Sequence, residues 1–191
     1  MSAVARFVML DRDGVINADS EDYIRSVEQW QALPGSLEAI ARLNRNGWRV
    51  AVCTNQSGIA RGLMSAAAVR AIHARMEAEL AALGGRIDTI QVCPHGPEDG
   101  CACRKPQPGL LLQAAAALGE EAAGAPFIGD TERDLEAARA VGARPLLVRT
   151  GKGQALALRG GHGAEAVYAD LAGAVDALLA GAATDQGGTL Q

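Results

Sequence analysis

Aromatic residues are scarce in this chain: two Phe, two Trp and two Tyr among 191 residues. Since 49% of the residues are hydrophobic, the core must come from Ala, Val, Leu and Ile, which favours alanine-rich helices laid on a sheet. Basic clusters are missing as well. Net charge is −4 and no Lys/Arg run exceeds Arg104-Lys105, so there is no electrostatic footprint for nucleic acid. No window reaches the roughly 18 uninterrupted apolar residues of a membrane span. The opening residues Met1 to Arg6 lack the basic-then-apolar pattern of a leader. These absences predict a cytoplasmic protein with neither nucleic-acid nor membrane partners. The four cysteines are then expected as metal ligands or buried thiols rather than disulfides.

What is present reads as alternating strands and helices. Strand patterns fall at 5–10, 48–53, 87–92, 125–128 and 145–148. Helical patterns fall at 36–46, 66–83, 108–118, 131–141 and 171–180. Gly47 and Gly84-Gly85 suit helix C-termini, and Ser65 suits an N-cap. Such alternation predicts an α/β fold, a doubly wound, mostly parallel sheet with helices on both faces. Its length suits one domain over 1–180, with 181–191 a flexible tail that has little to bury. No insertion is long enough for a separate cap domain, so any site must be covered by loops 14–34, 54–64 and 93–107.

Three apolar strand patterns end in polar residues. Phe7-Val-Met-Leu10 stops at Asp11 and Asp13, with Gly14 supplying a turn; ligand sites in open α/β sheets lie at such strand ends. An acidic turn would read the same way from this fragment alone. Val50 to Cys53 runs into Thr54-Asn-Gln-Ser-Gly58, where a hydroxyl and successive N–H groups suit a phosphate, or an ordinary turn. Phe127-Ile-Gly129 ends at Asp130, followed by Asp134 in a first helical turn, a position that the helix dipole also favours. With Asp11 and Asp13, Asp130 makes an oxygen-rich set suited to Mg²⁺.

A different chemistry occupies 93–103. Cys93, His95, Cys101 and Cys103 form a Cys₃His set within eleven residues, the ligand complement of a tetrahedral, structural zinc site. Arg104 and Lys105 follow the last ligand directly. Cys53, alone on an apolar strand, reads as a buried thiol.

Asp11-Arg-Asp-Gly-Val-Ile-Asn17, Thr54-Asn-Gln-Ser-Gly-Ile-Ala-Arg-Gly62, Cys-x-His through Cys-x-Cys-Arg-Lys-Pro106, and Gly129-Asp-x-x-x-Asp134 occur in this order. The chain thereby resembles the haloacid dehalogenase superfamily of phosphatases, and within it the branch that contains heptose bisphosphate and histidinol phosphatases. The resemblance runs from about 5 to 150 and implies a capless, Rossmann-like haloacid dehalogenase fold with a zinc-bound loop. It implies Asp11 as nucleophile, forming an aspartyl phosphate, with an ordinary aspartate pKa keeping it ionised. Asp13 would be general acid and base. Mg²⁺ would be held by Asp11, Asp130 and the Asp13 backbone carbonyl. Thr54 and Lys105 would hold the phosphoryl group, and Asp134 would orient Lys105. Substrate contacts would come from Asp19, Ser20, Asp22, Tyr23, Thr54, Asn55, Gln56, Ser57, Arg104, Lys105 and Thr131, the last standing where some relatives carry lysine.

The implied activity is removal of the 7-phosphate from a heptose 1,7-bisphosphate, a small-molecule sugar phosphate, in supply of nucleotide-activated heptose, by a monomer. Histidinol phosphate is the alternative substrate. A phosphoacceptor switch would share the acidic Mg²⁺ pocket but gives Asp13 and the zinc loop no purpose; a zinc-binding adaptor leaves the three aspartates unexplained. His73 is read as lying on a solvated helix face, Trp30 and Trp48 as packing residues, and Gly151-Lys152-Gly153 as lacking P-loop spacing.

Overall fold

The structure, a computed structural model, describes residues 6–186. Strand β1 (Phe7–Leu10) is buried on both faces, and its side chains divide with period two. Val8 and Leu10 join Val50, Val52, Ile128, Leu146 and Val148 in one apolar layer. Phe7 and Met9 join Ala51, Cys53 and Phe127 in the other. The same alternation continues through β2 (Arg49–Asn55), β3 (Thr89–Cys93), β4 (Pro126–Gly129), β5 (Arg144–Val148) and β6 (Ala166–Tyr168). All five strand pairings are parallel, in the order β3-β2-β1-β4-β5-β6.

Helices α1 (Ser36–Arg45), α2 (Ala66–Ala82) and α6 (Leu171–Gln186) cover the first layer; α3 (Gly109–Leu118) and α4 (Glu132–Ala140) cover the second. Short α5 (Gly153–Arg159) packs Leu156 against Leu135 and Leu147. Caps follow the local sequence: Ser65 accepts from the Ala68 N–H at 3.0 Å, and Gly47 takes φ +78° just past α1.

The doubly wound parallel sheet and all five expected strands are present, as are the five expected helices. No separate cap occurs among the described residues. The structure adds β6, α5 and a short 3-10 turn at Val27–Gln29, and carries the last helix to Gln186. Residue 5 of the first expected strand and residues 187–191 of the expected tail lie outside the described residues.

Winding reverses between β1 and β4. From β1 the chain builds outward through β2 and β3, then returns to lay β4 on the other side of β1. Adjacent strands whose connections leave in opposite directions open a crevice at their carboxyl ends. Asp11 follows β1 and Asp130 follows β4, so both stand at that crevice.

Candidate active site

Asp11 lies at the floor of a cleft of about 280 Å³, a size for one small molecule. Its Oδ1 accepts from the Arg12 N–H at 2.7 Å and pairs with Lys105 Nζ at 2.9 Å. That ammonium is buried and also meets Asp134 Oδ1 at 2.7 Å and the Cys53 carbonyl at 2.9 Å. It thus joins the end of β1 to β2 and α4. Asn55 holds the lysine's backbone from both sides, accepting from its N–H at 3.0 Å and donating to its carbonyl at 3.1 Å. The expected substrate contact Asn55 is therefore committed, through its side chain, to fixing Lys105.

Asp130 is gripped by backbone. Its Oδ2 accepts from the Lys152 N–H at 2.8 Å. Gly14 (φ +84°) and Gly151 (φ +57°) press against the same carboxylate, where a Cβ on either would collide with it. Both need glycine for the left-handed backbone and for the close approach. Thr150 ties the two loops together by donating to the Gly14 carbonyl at 2.6 Å. Asp134 Oδ2 takes the Thr131 N–H at 3.0 Å and the Thr131 hydroxyl at 2.6 Å. Asp11, Asp130 and Asp134 bring carboxylate oxygens within 4.8 Å of one another, and Asp130 Oδ1 is buried without a hydrogen bond.

Asp13 has other company. Its Oδ1 accepts from Arg12 Nε at 3.1 Å, Arg12 Nη2 at 2.8 Å and Asn17 Nδ2 at 2.9 Å. Its Oδ2 accepts from Arg12 Nη2 at 3.0 Å and Gln56 Nε2 at 2.9 Å. Gln56 also donates to the buried Thr54 hydroxyl at 2.8 Å. Behind this carboxylate, Arg12 Nη1 lies 3.1 Å from His73 Nε2.

The electrostatics follow the neighbours. Burial, then repulsion from Asp134, raises the Asp11 carboxyl well above the usual aspartate range, with Lys105 pulling the other way. An ordinary aspartate pKa at Asp11 is thus an expectation that the buried setting overturns. Burial and Asp134 likewise raise Asp130 to about 7. Burial alone would also raise Asp13, yet Arg12, Asn17 and Gln56 outweigh it and hold the group below its usual range. Burial would lower Lys105, but Asp11 and Asp134 raise it instead.

Of the residues expected to meet substrate, Asp19, Ser20, Tyr23, Asn55, Gln56, Ser57, Arg104, Lys105 and Thr131 line the cleft. Thr54 lies just beneath, buried under Gln56. Asp22 is outside the lining: its side chain is 94% exposed and 3.9 Å from Arg25. Sequence reading missed Arg12, Asn17, Arg61, Arg133 and Lys152. It also misread His73, which is buried on the core side of α2 and has its pKa lowered to about 4 by burial and Arg12. Arg61, Arg104, Arg133 and Lys152 all line the cleft, and Lys152 Nζ pairs with Asp19 at 3.3 Å.

Beside the cleft, the Cys₃His set closes up. Cys93 Sγ is 3.6 Å from His95 Nδ1 and 3.8 Å from Cys101 Sγ; Cys103 Sγ is 3.3 Å from the same histidine nitrogen and 3.6 Å from Cys101 Sγ. Ligand atoms of a tetrahedral zinc site, with bonds of about 2.3 Å to sulfur and 2.0 Å to nitrogen, stand about 3.5–3.8 Å apart. Cys53 is buried and apart from them, its thiol pushed up to about 12 by burial.

A parallel sheet with an aspartate at one strand end, a second acidic strand end beside it and a buried lysine between them is the layout of a haloacid dehalogenase-like hydrolase. The HAD-hydrolase-like family model matches residues 102–174. The D-glycero-β-D-manno-heptose-1,7-bisphosphate 7-phosphatase of Pseudomonas aeruginosa is 51% identical over 90% of this chain and 97% of its own length. The protein of that name from Bordetella bronchiseptica is 49% identical over 91% of this chain and 98% of its own. The crystal structure of the D,D-heptose 1,7-bisphosphate phosphatase from B. bronchiseptica, complexed with magnesium and phosphate, superposes with a TM-score of 0.88. It is 48% identical, over 92% of this chain and 99% of that one. This chain belongs to the D-glycero-D-manno-heptose 1,7-bisphosphate 7-phosphatase family.

Proposed function

We propose that the chain is a Mg²⁺-dependent phosphatase that removes the 7-phosphate of D-glycero-β-D-manno-heptose 1,7-bisphosphate through an aspartyl phosphate on Asp11. The observation that carries this reading is identity near 50% along nine-tenths of the chain to enzymes named for that reaction. The site's chemistry supports it independently. Both bonds to Asp11 fall on Oδ1, leaving Oδ2 to attack phosphorus in line. As the P–O bond to the sugar breaks, Asp13 gives its proton to the departing oxygen. The same carboxylate then takes a proton from water, whose oxygen attacks phosphorus and releases Asp11 and inorganic phosphate.

In the resting site the donors around Asp13 favour its carboxylate form, ready for the water step. Negative charge arriving with the phosphate raises its proton affinity for the first step. Lys105 holds the transferring group, with Asp134 and Asn55 setting its direction. Asp11, Asp130 and the Asp13 backbone carbonyl would hold Mg²⁺. The fit is an all-oxygen set in which buried Asp130 Oδ1 has no other partner. When bound, Mg²⁺ supplies charge that screens the attacking carboxylate from the phosphate and offsets charge developing in transfer.

The second phosphate is met at the cleft mouth by Arg104, whose planar fork suits it, with Arg61 and Arg133 nearby. Asp19, Ser20 and Tyr23 face the sugar. Thr131, whose hydroxyl is spent on Asp134, lends the wall rather than a charge. The Cys₃His set takes structural zinc, all four positions being protein ligands, and so fixes the loop from which Arg104 and Lys105 project. Among the described residues no helix is long and apolar enough to cross a membrane. Kinship to enzymes named for a small sugar phosphate supports a cytoplasmic setting. We infer that it acts as a monomer, supplying nucleotide-activated heptose synthesis.

The test is phosphate release with Mg²⁺ from heptose 1,7-bisphosphate and from histidinol phosphate, compared by kcat/KM. A preference for the heptose of ~100-fold, about 2.7 kcal/mol of transition-state binding, is the expected result. Preference for histidinol phosphate would keep the catalytic residues and overturn the substrate.

A further inference from the structure

The apolar stripe of α2 runs Val69, Ile72, Met76 and Leu80, and His73 shares its buried side. An imidazole there gives up water for a single visible return, its contact with Arg12. Arg12 is itself fully buried, one residue from the nucleophile. Its guanidinium is a rigid plane that carries only donors, so His73 Nε2 must be the acceptor and the ring's proton belongs on Nδ1. The plane therefore has two ends. One, Nε and Nη2, forks onto the carboxylate of Asp13; the other, Nη1, is stopped by the imidazole.

We propose that His73 is a positioning residue for the reaction: it fixes the Arg12 guanidinium, and the guanidinium fixes the rotamer of Asp13. The inference rests on Asp13 being the general acid and base. Without an acceptor at 73, a charged N–H is left buried and unpaired, a state worse than having no donor there at all. The guanidinium then turns to find another oxygen, and its fork leaves Asp13 with it. Asn17 and Gln56 would still hold one bond each to the carboxylate, but neither can impose a plane. The substitution removes no direct substrate contact, because neither His73 nor Arg12 lines the cleft.

The experiment compares steady-state kinetics on heptose 1,7-bisphosphate with saturating Mg²⁺ for His73→Leu, His73→Gln, Asp13→Asn and the His73→Leu/Asp13→Asn double variant, each assayed per folded molecule. A misplaced catalytic group costs on the order of 10- to 100-fold, so His73→Leu should lose that much kcat with KM within about twofold. His73→Gln restores an acceptor and should hold kcat within about threefold of wild type. In the Asp13→Asn background the Leu substitution should cost nothing further, since its only route to the chemistry is gone. Wild-type kcat in folded His73→Leu, equal losses in the Leu and Gln variants, or a full further loss in the double variant would each overturn the proposal. If Asp13→Asn itself keeps wild-type kcat, it is the acid–base assignment that fails. Should His73→Leu not fold, His73→Met takes its place in the same comparison.

Discussion

Asp11 and Asp13 are the same residue two positions apart, and the protein treats them in opposite ways. Asp11 faces Asp130 and Asp134 across the crevice, with one lysine among three carboxylates, and its proton is held more tightly than usual. Asp13 lines the same cleft but sits in a ring of donors from Arg12, Asn17 and Gln56, and its proton is held less tightly. A nucleophile that must share its floor with a divalent cation belongs where negative charge is in excess. A group that must take a proton from water belongs where its carboxylate is steadied. The strand end supplies both settings within three residues.

The sharpest way to break the contrast is Asp11→Asn. Turnover should fall by about 10⁴-fold or more, with no phosphorylated protein on acid quench; an unchanged rate would remove the nucleophile from the scheme. Asp13→Asn should cost about 10²- to 10⁴-fold. With an aryl phosphate, whose leaving group needs no proton, the variant should accumulate phosphorylated enzyme, seen as a burst followed by slow release. Absence of a burst would show that Asp13 does not serve the water step.

Lys105→Met strips the ammonium from the buried pair Asp11 and Asp134. Denaturant unfolding should record a loss of about 3–5 kcal/mol at neutral pH, the scale for orphaned buried charges. The loss should shrink as pH falls, because burial and Asp134 already hold the Asp11 carboxyl above its usual range and, without Lys105 to pull it down, it takes a proton more readily.

Magnesium gives the gentlest test. A carboxyl whose pKa is raised on folding, from 3.8 to about 7 at Asp130, binds more protons folded than unfolded between those values. Stability therefore drops as pH climbs through that window. A cation that binds the ionised carboxylates reverses the loss, so Mg²⁺ should raise Tm more at pH 8 than at pH 5. An equal shift at both pH values would mean that the ion binds elsewhere.

Most of the fold, and most of the residues that meet in the cleft, were legible in the chain because the signals are local. An apolar run that stops at an aspartate marks both a strand and its functional end, and Cys₃His spacing declares itself. Arg12 hid in plain view, flanked by two aspartates that drew the reading. His73 was illegible for a firmer reason: its partner is 61 positions away, and an alanine-rich helix such as α2 has too weak an amphipathic pattern to say which side is buried. Strand β6 has three residues and α5 seven, too short for periodicity to register. Asp22 and Tyr23 are neighbours of equal promise in sequence. The turn between Ser20 and Tyr23, where Tyr23 takes φ +65°, sends one to solvent and the other to the cleft wall.

The Lys105 ammonium touches the end of β1 through Asp11, β2 through Cys53 and α4 through Asp134. A group shared three ways has no half-assembled state. Any opening that frees one of those segments dissolves the proposed phosphate site as a whole, so the competence proposed for it is tied to the integrity of the central sheet.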